Sequence, residues 1–243
     1  MKRVSLFIPC LVDQFYPEVA VSTFNLLSDL DYQVDYPESQ TCCGQPAYNA
    51  GYWKEAAPLA EHFLRVFRHC EYVVAPSGSC VGMVRNCYPN LPLSDEAKAI
   101  HRDLRGRVYE LTEFIVKVHG TTSVGAVFNH RVTYHDSCHL LRELGVKNEP
   151  REILKNVKGL DFIEMDNSDD CCGFGGVFSA KYRRLAGDIS AAKIEKAFRT
   201  GAEYVVACDT GCIRHMESAA RESGALIKPL HIASVLRPGD LLS

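Results

Sequence analysis

A chain of 243 residues with 47% hydrophobic residues is long enough for one large domain or two small ones around an ordinary apolar core. Its formal net charge of −3 and lack of any basic stripe argue against nucleic acid or an anionic membrane as partner. No apolar run approaches the ~20 residues of a membrane helix, and eleven cysteines, an odd number, do not suit the disulfide staples of a secreted protein this size.

The opening stretch MKRVSLFIPCLVDQF loosely imitates a signal peptide. Pro9 and Asp13 interrupt its apolar run and no small-residue cleavage site follows, so residues 4–8 are predicted as a buried first strand and the chain as cytoplasmic. A helical pattern starts near Pro17 and carries Val21, Phe24 and Leu27. Residues 33–36 read as a second strand. Ala56, Leu59, Ala60, Phe63, Leu64 and Phe67 recur at helical spacing, with Pro58 fitting only in that helix's first turn. Residues 72–75 read as a strand, and SDEAKAIHRDLRGR (94–107) as a charged surface helix capped by Ser94. In the second half, residues 132–135, 162–165 and 204–207 read as strands. Residues 152–157 and 179–198 read as helices, the latter with Ser179 as N-cap and Gly201 as its stop.

The two halves repeat one another. EYVVAPSGSC (71–80) matches EYVVACDTGC (203–212), and ELTEFI (110–115) resembles HIASVL (231–236). The first half places 31 residues between Cys10 and the pair Cys42-Cys43, then 36 between Cys43 and Cys80. The second places 32 between Cys138 and the pair Cys171-Cys172, then 39 between Cys172 and Cys212. Two repeats are too few for a solenoid, so duplication into a pseudo-twofold pair of α/β lobes with mainly parallel sheets is expected, over 1–120 (including the charged linker helix) and 121–243.

In such sheets, sites form at the carboxyl ends of the strands. Cys10 and Cys138 end predicted strands, Cys80 and Cys212 lie just past one, and each vicinal pair precedes a helix, so each half can build one thiolate nest. Neighbouring cysteines are too close, at about 3.8 Å between Cα atoms, to be an ordinary disulfide. Thiolates hold zinc or iron–sulfur clusters, and adjacent sulfurs suit a multi-iron cluster better than one ion. Glycine after each pair lets backbone N–H groups approach the sulfurs.

The doubled Cys…Cys-Cys-Gly…Cys pattern resembles the CCG (cysteine-rich) domain found in heterodisulfide reductases and in the glycolate oxidase iron–sulfur subunit. CCGQPAYNAGY, PSGSC, CCGFGGVFS and HIASVL resemble the lactate utilization protein A family over nearly the whole chain. The resemblance implies an iron–sulfur electron-transfer subunit of a multi-protein system oxidising L-lactate to pyruvate. It implies a ferredoxin-like iron–sulfur partner, a third lactate-utilisation subunit and [4Fe-4S]-type clusters. The heterodisulfide reductase relatives hold noncubane clusters with one more cysteine per motif. Here Pro76 stands where Cys208 aligns, and Cys208 is spaced C-x3-C from Cys212, not C-x2-C. The expected cofactor ligands are Cys10, Cys42, Cys43 and Cys80 in one half and Cys138, Cys171, Cys172 and Cys212 in the other, with Cys208 as a candidate fifth. The second half is expected to hold the more complete cluster, and the first a simpler cluster or a zinc. A zinc-stabilised scaffold and a thiol–disulfide catalyst are the other functional classes.

Cys70 and Cys87 read as packing residues, Asp169 and Asp170 as loop solvation, and GFGG as no dinucleotide fingerprint because it follows no predicted strand. His135 and His139 flank Cys138 and read as satisfied structural histidines ahead of ligands, as do His130, His215 and His231.

Overall fold

The short Val-rich runs become central strands because a strand covered on both faces accepts consecutive apolar residues. The computed structural model describes residues 2–242. In the first half, β1 (Arg3–Leu6), β2 (Gln33–Asp35), β3 (Tyr72–Ala75) and β4 (Val108–Glu110) form a parallel sheet of order β2-β1-β3-β4. In the second, β5 (Arg131–Tyr134), β6 (Asp161–Phe162), β7 (Tyr204–Ala207) and β8 (Lys228–His231) repeat it as β6-β5-β7-β8. The registers agree: Val4 faces Tyr72 as Val132 faces Tyr204.

The helices of the first half are α1 (Cys10–Phe15), α2 (Pro17–Asp29), α3 (Gln45–Asn49), α4 (Trp53–Phe67), α5 (Gly78–Gly82), α6 (Asp95–Leu104) and α7 (Leu111–Glu113). Those of the second are α8 (Asn148–Lys155), α9 (Val177–Lys181), α10 (Arg183–Arg199), α11 (Thr210–Ser223) and α12 (Ile232–Leu236). α2 packs on α12, and α7 on α8. One apolar core therefore joins the halves, with Val4, Leu6, Val74 and Phe114 from the first and Tyr134, Leu140, Val206 and Ile232 from the second. Each lobe keeps a second core on its outer face, around Phe63, Phe67 and Tyr88 in one and Ile194, Ile213 and Met216 in the other.

Several expected elements shift. α2 turns Val21 and Phe24 to solvent and buries Val19, Ser22, Thr23, Leu26 and Leu27. The Thr23 hydroxyl donates to the Val19 carbonyl at 2.6 Å, so it enters the core with its polar group paired. Pro58 lies in the second turn of α4, not the first. It is exposed, as is Lys54 four residues earlier, whose carbonyl loses its helical partner on the wet side. The strand expected over 162–165 shortens to Asp161–Phe162, and Met165 instead enters the outer core. Ser179 lies inside α9, its hydroxyl bonded to the Gly176 carbonyl at 2.9 Å, and the long helix starts after Tyr182. Gly201, at φ +70°, follows α10 as expected. Ser94 caps α6 by accepting from the Ala97 N–H at 3.3 Å, but that helix buries Ala97, His101 and Leu104 and is not wholly a surface element.

Candidate metal centre

Chain direction brings the cysteines together. Cys10 follows β1 and opens α1, Cys80 lies in the short helix after β3, and Cys212 lies in the first turn of the helix after β7. Cys138 follows β5, and the vicinal pairs sit in the loops before α3 and α9. Two separate nests were expected. Instead, Cys10, Cys42, Cys43 and Cys80 of the first half and Cys138, Cys171, Cys172 and Cys212 of the second line one cavity of about 360 Å³ between the lobes. All eleven cysteines are free thiols.

In the first half, the Cys10 and Cys42 sulfurs are 3.7 Å apart and those of Cys43 and Cys80 3.5 Å. Two thiolates on one tetrahedral ion, at about 2.3 Å each, lie ~3.8 Å apart, so the pairs are spaced for metal. The glycine after each pair does what was expected of it. Gly44 and Gly173 donate their N–H groups to the Cys42 and Cys171 sulfurs at 3.4 and 3.3 Å. Both have positive φ, +86° and +85°, and a Cβ on Gly173 would lie 2.4 Å from the Ala186 carbonyl oxygen.

Hydrogen bonds from the Cys10 and Cys43 thiols pull Cys42 down to about 3, the Gly44 N–H helps, and burial opposes. Its hydrogen bond with Cys42, then burial, pushes the Cys10 thiol up. In the second nest, the hydrogen bond with Cys172 and then burial push Cys171 up. Cys138 is 3.6 Å from His139 Nδ1, and that contact, with Asp209 and Glu143 beyond it, raises the imidazole to about 9 against the effect of burial. A protonated His139 thus supplies positive charge at the cavity wall.

The vicinal loop of the second half rests on buried charges. Lys193 Nζ donates to the carbonyls of Asn167 and Ser168 at 2.9 and 3.2 Å. Asp136 takes a bidentate pair of bonds from Arg151 at 2.8 and 2.6 Å and one from Ser168 Oγ at 2.8 Å. Burial pushes the Asp136 carboxyl up, but these bonds and the Arg151 charge outweigh it and hold it below its usual value. Asp209 occupies the N-cap position of α11 yet reaches across the lobes. Its Oδ1 accepts from Ser77 Oγ, Ser79 N and Ser79 Oγ at 2.8, 3.1 and 2.8 Å.

His135 departs from its expected role. It is 1% exposed, and among the described residues neither ring nitrogen has a hydrogen-bond partner at normal geometry. One of its ring nitrogens and the Cys172 and Cys212 sulfurs all lie within 4.8 Å of one another. Burial, then the Lys193 charge, hold it neutral, with its pKa near 3. A polar residue at the buried end of a strand, where the first half has Phe7, was the signal available in the sequence. Asp209 and Lys193 carried no such mark.

Cys208 points away from the cavity. It is fully buried in the joint core, 3.3 Å from the Tyr134 hydroxyl, and burial with the Glu110 charge raises its thiol. Cys70 and Cys87 also lie outside the cavity, packed against the first outer core. His130 binds Glu203 at 2.8 Å, His215 the Ala186 carbonyl at 3.1 Å, and His231 the Pro76 carbonyl at 3.1 Å. Asp169 and Asp170 are exposed, Asp170 pairing with Lys196. The donor set, four thiols per half with a buried imidazole of unpaired nitrogens in the second, fits soft or borderline metals or an iron–sulfur group.

The cysteine-rich domain family, CCG, matches this chain twice, over residues 4–85 and 132–217. A protein of Geobacillus sp. (strain WCH70) named lactate utilization protein A is 46% identical over 237 residues, covering 96% of this chain and 98% of that one. Its namesake from Bacillus subtilis (strain 168) is 43% identical over 235 residues, with the same coverage. A crystal structure of a hypothetical protein from Helicobacter pylori shares the fold, with a TM-score of 0.64 at 11% identity, covering 99% of this chain and 48% of the other. Among the described residues no helix is long and apolar enough to cross a membrane. The chain belongs to the CCG cysteine-rich domain family and, within it, to the lactate utilization protein A family.

Proposed function

We propose that this chain is an iron–sulfur electron-transfer subunit of a multi-protein system that oxidises L-lactate to pyruvate. The observation that carries the proposal is eight free thiols, four from each half, lining one cavity between the lobes. The relatives named lactate utilization protein A support lactate as the fuel. The ligands are Cys10, Cys42, Cys43 and Cys80 on one side and Cys138, Cys171, Cys172 and Cys212 on the other, for groups of the [4Fe-4S] type. Cys208, held against Tyr134 away from the cavity, is left out of the set. When bound, such clusters supply one-electron couples whose potentials follow charge, hydrogen bonding and solvent access.

The polypeptide's own part is to hold and tune. Gly44 and Gly173 present N–H groups to sulfur, and His139 brings positive charge near Cys138. Phe174 and Val177 add apolar cover to the cavity, which limits water. Electrons leave toward a ferredoxin-like iron–sulfur subunit, and a third lactate-utilisation subunit completes the system. The unpaired thiols suit the reducing cytoplasm, where we place the chain.

The first half also supports a zinc there, because its sulfur pairs stand near the spacing of a single tetrahedral ion. Metal and sulfide analysis of anaerobically purified protein decides between the readings. Iron with matching acid-labile sulfide and a broad visible band that bleaches on reduction is the expected result. A colourless protein with stoichiometric zinc and no sulfide would overturn electron transfer in favour of a structural subunit.

A further inference from the structure

We infer that His135 is a nitrogen ligand to the metal group of the second half, beside Cys172 and Cys212, so that the two halves hold chemically different sites. The inference rests on the reading that the nests bind metal, but it needs no particular cluster.

Three observations converge. First, the ligand atoms of His135, Cys172 and Cys212 lie within 4.8 Å of one another and all three residues are buried. Thiolate and imidazole at about 2.0–2.3 Å from a shared ion need less separation than that. Second, among the described residues both imidazole nitrogens lack a partner at hydrogen-bond geometry. A buried, unpaired polar group is costly, and native folds rarely carry one without a reason. The Ser168 backbone exerts only a weak pull on the ring. A buried, neutral ring without a hydrogen-bond partner keeps a lone pair for metal.

Third, the fold itself does not need a histidine here. His135 takes the backbone place of Phe7: the Phe7 N–H binds the Val74 carbonyl at 2.9 Å, and the His135 N–H binds the Val206 carbonyl at 2.8 Å. Phe7 fills its site by edge packing on Phe63 and Phe67, with ring centroids 4.9 and 5.8 Å away. An apolar ring therefore satisfies this position in one lobe, and the other lobe carries a polar ring aimed at two sulfurs.

The chemical consequence is a difference in donor set. The first nest offers thiolates alone, and the second adds a neutral nitrogen donor.

The test uses the full chain, stripped of metal anaerobically and loaded with cadmium alone, with its histidines isotopically labelled at nitrogen. Cadmium NMR is expected to give one resonance in the all-sulfur region and a second displaced from it and split by a histidine nitrogen. The splitting should vanish in His135→Asn and persist in His139→Gln, which alters the histidine that lines the cavity. A wild-type spectrum with no split resonance overturns the inference even if His135→Asn fails to fold. So does splitting that survives in His135→Asn or disappears in His139→Gln. Iron and sulfide content of native protein is measured alongside. Absent iron with a split cadmium line sinks electron transfer but keeps the ligand, and abundant iron with no splitting does the reverse.

Discussion

Glu110 is the most displaced carboxylate of the joint core. It is fully buried at the end of β4, where burial pushes its pKa up to about 8. The Thr112 hydroxyl and the Thr112 and Glu113 N–H groups pull the other way, all on Oε2, while Oε1 has no partner at hydrogen-bond geometry among the described residues. The titratable groups facing it are Cys208, Tyr134 and Glu113. Its folded pKa is raised above the unfolded value of about 4.3, so its contribution is complete below that value and is lost as pH rises through 8. Stability should therefore fall between about pH 5 and pH 9, by on the order of a few kcal/mol from this group. Glu110→Gln, which keeps the shape without the charge, should flatten the decline. Urea unfolding midpoints across that range check it, and an equal slope in both proteins would count against the assignment.

α5 and α11 stand at corresponding places, each after a central strand, but their caps differ. Ser77 accepts from the Cys80 N–H at 3.4 Å in the ordinary way. The Asp209 carboxylate makes no bond to its own helix among the described residues and takes Ser77 and Ser79 of the other lobe instead. The carboxylate thus ties together the helices that carry Cys80 and Cys212. Asp209→Ala and Ser77→Ala should each destabilise by about 1–3 kcal/mol, because each removes a buried hydrogen bond to a charged group. The double variant should cost less than their sum, since the pair is lost only once. Additive losses in a double-mutant cycle would show that the two groups do not interact. At this level α4 was legible from spacing, and α2 was legible as a helix starting at Pro17 but not in which face it buries. Val21 and Phe24 lose the core to Ser22 and Thr23 because α2 packs closely on α12, and small side chains allow that approach.

The joint core makes the two lobes one folding unit. Residues 1–120 alone would expose Val4, Leu6, Val74 and Phe114, which the second half covers. Uncovering apolar surface at about 25 cal/mol per Å² removes stability that a small domain does not have in reserve. A fragment of residues 1–120 is expected to lack a cooperative thermal transition that the full chain shows. Circular dichroism during heating checks this, and a sharp transition in the fragment would refute the shared core as a requirement. The same arrangement merges the two expected nests into one cavity, because both sheets point their carboxyl edges at the seam.

Duplication, the parallel α/β class and the eight cavity cysteines are legible in the chain itself, since repeats, periodicity and spacing are local properties. β4 and β8 are not, because a buried strand three or four residues long leaves too little pattern to read. Cys208 and Cys212 look alike in sequence, yet one lies against Tyr134 in the core and the other lines the cavity. Cys208 immediately follows β7, whereas Cys212 lies in the first turn of α11, and only the packed lobes give those positions different surroundings. His135 follows the same rule: as a letter it is one histidine of nine, and its two unpaired nitrogens exist only once Cys172 and Cys212 are folded against it. Partners drawn from distant parts of the chain are set by long-range packing, which no local pattern encodes.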